Sequence, residues 1–213
     1  MDTFFSFCLK KWDRLVLIGL LLLHVLLCAF FLRHNYLTVD EPVHITGGLE
    51  ILQNMGHTVN PESGVLPQVV TALPLLARVD MPPELTMEKR LITPYPYARY
   101  VLYDVAECQE SDFFFARLIM VSFSLLACTA LWLIARKTGG RIPALLVAAL
   151  YVFMPLFVSN APLSTADMAS SCFFLTTLLT CHLLLRRCQL QYFLLFFLSC
   201  GALLFSKMSA VSI

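Results

Sequence analysis

Five long runs of apolar residues, separated by shorter polar segments, dominate the chain. A bilayer core about 30 Å thick requires about 20 apolar residues per helix. The runs that come close to this length cover residues 15–32, 113–135, 142–158, 168–185 and 192–206. The pattern therefore predicts an all-α, polytopic membrane protein with about five transmembrane helices.

The first run has a rival interpretation as a cleavable signal peptide. Its apolar part is longer than the roughly 7–15 residues that such peptides use, and the residues that follow, Arg33 to Tyr36, offer no small-residue cleavage site. We therefore interpret residues 15–32 as an uncleaved first span and residues 1–14 as a cytoplasmic N-terminus.

Lys and Arg concentrate in three places next to the apolar runs. They are Lys10, Lys11 and Arg14, then Arg136, Lys137 and Arg141, and finally Arg186 and Arg187. Because positive residues accumulate in short cytoplasmic loops, all three clusters are expected on the cytoplasmic side. This threading places residues 33–112 in one long loop on the outer side.

Two stretches of the long outer loop have the periodicity of amphipathic helices. The first contains Val43, Ile45, Leu49 and Leu52, with Glu50 and Gln53 off the apolar face, and the second contains Leu66, Val69, Val70, Leu73 and Leu76. Apolar residues at this spacing form one face of a helix, and such helices lie at the membrane surface. Asp40 and Ser63 are candidate caps for the two helices.

Composition agrees with a membrane protein and excludes one class of partner. Hydrophobic residues make up 59% of the 213 residues and charged residues 14%, with a formal net charge of +1. A chain that neutralises many phosphates would need a basic surplus, so nucleic acid is not an expected partner, whereas membrane lipids are. Most of the eight cysteines lie in apolar runs, and no disulfide is predicted.

Asp40 and Glu41 are the first candidates for chemistry, because they stand just outside the first span. Paired carboxylates in this place could act as a general base or hold a cation. The alternative is that Asp40 caps the helix that follows and Glu41 complements its dipole.

Asp167 is a third candidate, at the mouth of the fourth apolar run. An ionised carboxylate is costly near a membrane interior, so such residues usually have a function. The alternative is an ordinary first-turn acid behind a cap at Ser164 or Thr165. The threading places Asp40, Glu41 and Asp167 on one side of the membrane, where they could converge on one pocket.

Two cations lie at the same side of the predicted spans. Lys207 ends the fifth run and Arg117 begins the second. Either could bind a lipid phosphate, or simply extend its charged end to the interface. His24, inside the first run, is expected to be a hydrogen-bonded interior residue, and no His/Cys cluster has the spacing of a structural zinc site.

The ordered motifs along nearly the whole chain resemble a known family. They are VDEPVHITGGL at 39–49, NPE at 60–62, LPLL at 73–76, ARL at 116–118, ARKTGG at 135–140, PLFVSNA at 155–161 with TAD at 165–167, and SKMSA at 206–210. This order is similar to that of GT-C glycosyltransferases of the protein O-mannosyltransferase and aminoarabinose-transferase type (glycosyltransferase family 39). The resemblance implies transfer of a sugar from a polyprenyl-phosphate donor to a protein, lipid or glycan acceptor.

By the same resemblance, Asp40 is the first candidate for the catalytic base and Glu41 the second. Asp167 would orient the acceptor or help to hold a divalent cation, and no other cofactor is implied. Glu62, Arg117 and Lys207 are the candidates for substrate binding. The implied location is the inner membrane of a bacterium, with the active site on its outer face.

The sequence also departs from the family. Family members commonly continue the NPE motif with HPPL, whereas SGVLP follows Glu62 here. They are also longer and have more spans, so we expect the chain to represent the N-terminal part of an enzyme and to be inactive by itself. The alternative function is a non-catalytic membrane protein, either a transporter fragment or a degenerate remnant.

Overall fold

The computed structural model describes residues 2–82 and 94–207, with side chains described from residue 12 onward. This part of the chain is helical, and its only β-type pairing is an isolated antiparallel bridge between Ser63 and Lys207. The helices are α1 (Asp2–His34), α2 (Glu41–Asn54), α3 (Val65–Ala72), α4 (Pro94–Arg99), α5 (Phe113–Leu118), α6 (Val121–Thr138), α7 (Arg141–Phe153), α8 (Pro155–Asn160), α9 (Ala166–Arg186) and α10 (Leu190–Ser206).

Three helical segments are long and apolar enough to cross a membrane. They are Trp12–His34, Phe113–Thr138 and Ala166–Arg186. The apolar helices α7 and α10 are shorter, with 13 and 17 residues. This set of helices confirms the prediction of an all-α, polytopic membrane protein.

The predicted span at 142–158 corresponds to two helices. α7 ends at Phe153, and Met154 has an extended backbone with ψ of 120° before α8 begins at Pro155. Proline lacks the N–H that a continuous helix needs and disfavours helical geometry at the preceding residue. Pro155 therefore accounts for the break.

The long helices pack around a core of buried residues. α7 lies against α1 and α6, and α9 lies against α6 and α10. Inside this core, His24 Nε2 and the Tyr151 hydroxyl each lie 2.9 Å from Ser124 Oγ. Burial of polar groups is costly unless they are hydrogen-bonded, and the expectation that His24 is a hydrogen-bonded interior residue is confirmed.

Ion pairs connect α1, next to its basic cluster, with the second basic cluster at one end of the bundle. Asp13 is buried and forms ion pairs with Arg136 and Arg141. Since α9 starts near Glu41 and extends away from it, its last residue, Arg186, lies toward the same end as Asp13. We call this the Asp13 end and the opposite one the Glu41 end.

α2 and α3 pack against each other outside the long helices, and close contact requires a glycine. A Cβ atom at Gly48 would overlap the backbone of Gln68 and the side chain of Ala72.

One sequence expectation for α2 is wrong, since Glu50 is buried although the periodicity places it on the polar face. Its carboxylate accepts hydrogen bonds from the turn at Thr58 and Val59.

Candidate functional site

Glu41 and Arg117 form a buried ion pair between the start of α2 and α5. Arg117 Nε donates to Glu41 Oε1 at 2.9 Å, and the exposed fractions of the two side chains are 4% and 0%. The same oxygen accepts the Ser164 N–H at 3.0 Å, while Oε2 accepts the N–H and hydroxyl of Thr38 at 2.7 and 3.1 Å. Each carboxylate oxygen thus accepts two hydrogen bonds from the chain itself, which fills its normal capacity.

The ion pair also fixes how several elements meet. Arg117 donates a further hydrogen bond from Nη1 to the Asn35 carbonyl, at 2.9 Å, and so reaches the segment just after α1. Glu41, proposed from the sequence as a second base, and Arg117, proposed as a phosphate ligand, therefore bind each other. Their roles toward a substrate remain predictions.

Asp167 and Lys207 form a second, more open ion pair at the same end. Asp167 lies in the first turn of α9 and Lys207 directly follows α10. Lys207 Nζ donates to Asp167 Oδ1 at 2.6 Å, and the exposed fractions of the side chains are 42% for Lys207 and 69% for Asp167. A lysine ammonium has three donors, so this bond leaves capacity for a ligand.

The backbone around Ser63 holds Lys207 in place. Ser63 pairs with Lys207 in the isolated bridge, and a Cβ atom at Gly64 would overlap the backbone of Phe205 and Ser206. This contact brings the exposed Glu62 to the neighbourhood of Lys207. Gly64, not Ser63, is the N-cap residue of α3, so the cap predicted at Ser63 is wrong.

Asp40 is exposed and stands at the N-cap position of α2. Its backbone is already helical, with φ of −81° and ψ of −29°, and its side chain makes no capping hydrogen bond. Thr165, the N-cap residue of α9, also makes no side-chain capping bond. Side-chain capping therefore does not account for Asp40, whereas Asp167 occupies the first turn of α9, where an acid is favoured by the helix dipole.

His44 lies one helical turn after Asp40, and sequence reasoning did not select it as a site residue. It is buried, and its Nδ1 atom has no hydrogen-bond partner among the described residues. Burial lowers the pKa of His44, although the carboxylates of Asp40 and Asp167 oppose this effect; Lys207 adds to it. His44 is thus a buried imidazole whose pKa responds to three charged side chains. The sequence did contain a signal for its place in the site, since residues four positions apart, such as Asp40 and His44, lie on the same face of a helix.

Tyr95 connects Asp40 with a neighbouring cavity. The negative charge of Asp40 and a hydrogen bond to its carboxylate raise the pKa of Tyr95, and Glu62 adds to the effect. The cavity has a volume of about 440 Å³ and is lined in part by Thr58, Asn60, Glu62 and Tyr95. A cavity with both polar and apolar lining residues therefore opens beside the exposed carboxylate.

The fit of a divalent cation can be judged from the arrangement of ligands. Such a cation requires several oxygen ligands that converge on one point. Within residues 12–82 and 94–207, no three His, Cys, Asp or Glu side chains are grouped in a way that could hold a metal ion. Asp167 is already paired with the positive charge of Lys207, so the described residues do not fit the cation that the sequence left open.

The six predicted site residues therefore form two groups at the Glu41 end. Glu41 and Arg117 make the buried pair. Asp40, Asp167 and Lys207 are the charged groups that act electrostatically on His44, and Glu62 lines the cavity beside Tyr95. The two groups are linked because Glu41 binds the N–H of Ser164, three residues before Asp167.

Comparison with known proteins identifies the family. A search of curated proteins and a search of solved structures each found no match to this chain. The family model of dolichyl-phosphate-mannose-protein mannosyltransferases matches residues 93–213, which include Arg117, Asp167 and Lys207. The chain is an integral membrane protein that belongs to this family of GT-C glycosyltransferases.

Proposed function

We propose that the protein transfers a hexose or pentose from a polyprenyl-phosphate donor to a hydroxyl group of an acceptor. The observation that supports this reaction is that the exposed Asp40 and the ion pair of Asp167 with Lys207 both act on the buried His44, beside a cavity lined in part by Glu62. A general base and a cation for a leaving phosphate are the two chemical elements that such a transfer needs.

Asp40 is the general base in this proposal. Its carboxylate accepts the proton of the acceptor hydroxyl while that oxygen forms a bond to the anomeric carbon. The bond between the anomeric carbon and the phosphate oxygen breaks, its electron pair stays on the lipid phosphate, and the anomeric configuration inverts. Asp40 is exposed and its neighbour Glu41 is saturated by hydrogen bonds, which favours Asp40 over Glu41 in this role.

Lys207 and Asp167 assist at the opposite side of the reacting bond. Lys207 retains N–H donors for the leaving phosphate beyond its bond to Asp167, and a charge-assisted hydrogen bond stabilises the negative charge that develops there. Asp167 holds Lys207 and orients the acceptor. Glu62 and Tyr95 line the cavity that would receive the acceptor, which can be a protein, a lipid or a glycan.

The reaction belongs on the outer face of the membrane in this proposal, with the Asp13 end in the cytoplasm. The basic clusters near Asp13 support this orientation through the positive-inside preference. A bacterial inner membrane is the location that the sequence resemblance favours.

Replacement of Asp40 by Asn tests the assignment. Asn keeps the shape of the side chain but cannot act as a base. In membranes from cells that express the native gene, transfer from radiolabelled polyprenyl-phosphate mannose should fall by about 10²–10⁴-fold, with unchanged protein levels. The matched control is Asp104→Asn, an exposed aspartate away from the group, and equal transfer by both variants would refute the role of Asp40.

We also propose that the 213-residue chain, produced by itself, transfers no sugar. Asp40, Asp167 and Lys207 are open to solvent in it, and charge stabilisation is weak where water has free access. Transfer that requires Asp40 in the purified 213-residue chain would contradict this part of the proposal. Absence of transfer both in membranes that express the native gene and in the purified 213-residue chain would favour the alternative of a non-catalytic membrane protein.

A further inference from the structure

A cavity of about 530 Å³ lies between the end of α1 and the start of α5, at the Glu41 end of the bundle. Its lining combines two cations, one acid and aromatic rings: Arg33, Arg117, Glu110, Tyr36, Phe114 and Phe115. None of the roles proposed for sugar transfer uses this cavity, although Arg117 contributes to its wall.

The charged groups of the cavity differ in how they are already engaged. Arg117 is neutralised by Glu41, as described above. Arg33 is exposed and has no ion-pair or hydrogen-bond partner among the described side chains. Glu110 accepts a hydrogen bond from the Tyr103 hydroxyl at 3.2 Å and has no cationic partner in the described part of the chain. The cavity thus presents one free positive and one free negative group.

The apolar part of the lining continues toward the membrane. Leu32 belongs to the last turn of the apolar segment of α1, and Phe115 in α5 is 66% exposed. Phe114 and Phe115 pack edge to face with their centroids 5.4 Å apart. Because α1 and the segment Phe113–Thr138, which begins with α5, are long and apolar enough to cross a membrane, we infer that this side of the cavity faces the acyl region of the bilayer and that Arg33 and Glu110 lie at the level of the headgroups.

We propose that this cavity binds a phospholipid with a zwitterionic headgroup that carries a primary ammonium group. Arg33 binds the phosphate, Glu110 binds the ammonium, and one acyl chain lies along Phe115. Charge complementarity selects this ligand, since one free cation and one free anion match a headgroup with one charge of each sign. An anionic lipid or a polyprenyl phosphate would satisfy Arg33 but would be repelled by Glu110.

This site is independent of the proposed sugar transfer. It requires only that the Glu41 end lies at a membrane surface. A resident lipid here would contact the loop that connects α1 with α2, and it would therefore support the segment that positions Asp40.

Native mass spectrometry of the purified 213-residue chain in detergent, titrated with short-chain lipids, tests the site. Dioctanoyl phosphatidylethanolamine should bind about tenfold more tightly than dioctanoyl phosphatidylglycerol, which has the same chains but a net negative headgroup. Arg33→Gln should weaken binding of both lipids about tenfold. Glu110→Gln should weaken only the phosphatidylethanolamine and so remove the preference.

Two further variants separate a specific site from general effects on the protein. Arg187→Gln removes an exposed arginine at the Asp13 end and should leave binding unchanged, whereas Arg33→Lys keeps the charge and should retain most of it. Circular dichroism and gel filtration verify that each variant is folded. Equal binding of the two lipids, or equal effects of Arg33→Gln and Arg187→Gln, would overturn the proposal. Displacement of phosphatidylethanolamine by equimolar farnesyl phosphate would also overturn it and would assign the cavity to the sugar carrier.

Discussion

The guanidinium of Arg117 and the carboxylate of Glu41 are in contact at 2.9 Å although 76 positions separate them in the chain. Both side chains are shielded from water, so each depends on the other to compensate for the loss of hydration. The pair joins α2 to α5, which begins the apolar segment Phe113–Thr138. It is a buried polar connection between α2 and the helical bundle.

Loss of one member of this pair should destabilise the protein strongly. Arg117→Met leaves Glu41 buried without its cation, and the free energy of unfolding should fall by about 3–5 kcal/mol. Thermal unfolding in detergent, compared with Arg187→Met at an exposed position, measures the effect. The double variant Glu41→Leu with Arg117→Met should lose less free energy of unfolding than the two single variants lose together. An effect of Arg117→Met no larger than that of Arg187→Met would contradict the assignment.

Gly64 should tolerate no side chain, because α3 presses against the end of α10 there. Gly64→Ala forces the two segments apart, and overpacking of this kind costs about 1–3 kcal/mol. The matched control is Gly201→Ala in α10, where an added Cβ meets nothing within 4 Å. Thermal unfolding should therefore separate the two alanine variants. If both melt at the wild-type temperature, the close contact that positions Lys207 is absent in solution.

His44 should make the fold less stable in acid. Burial lowers its pKa below the usual 6.5, so the unfolded chain binds a proton more readily than the folded one. Below about pH 6.5, the free energy of unfolding consequently rises with increasing pH. The stability that neutral His44 contributes is lost as pH falls from about 6.5 through the lowered pKa of the folded state. Chemical unfolding between about pH 5 and pH 7.5 should show a smaller pH dependence for His44→Gln than for the wild type. Identical curves would show that His44 titrates as if exposed.

The orientation of the bundle can be measured with single cysteines. In a cysteine-free background, Glu62→Cys and Lys137→Cys place a thiol at exposed positions at the Glu41 end and the Asp13 end, respectively. A membrane-impermeant maleimide added to intact cells should label Glu62→Cys only, and Lys137→Cys should react after the membrane is opened. Labelling of both variants from the outside would remove the basis for an outward-facing site.

The sequence by itself determined the class of fold. In lipid, every backbone N–H and C=O must be bonded within the chain, so a long apolar run becomes a helix whatever surrounds it. This is why the runs at 15–32, 113–135 and 168–185 lie within the long apolar helical segments Trp12–His34, Phe113–Thr138 and Ala166–Arg186. The break before Pro155 was also present in the sequence, in the residue type itself, but the apolar run concealed it.

Only the tertiary structure decided what each charged residue does. Asp40 and Glu41 are adjacent and alike in the sequence, yet one is exposed and the other is buried, because successive helical residues point about 100° apart. Glu41 is the buried one because Arg117 and Ser164, which are distant in the chain, pack over its side of the helix and donate hydrogen bonds to its carboxylate. His44 lies inside the first motif of the family resemblance, but its electrostatic interaction with Asp167 and Lys207 arises only when three separate segments meet.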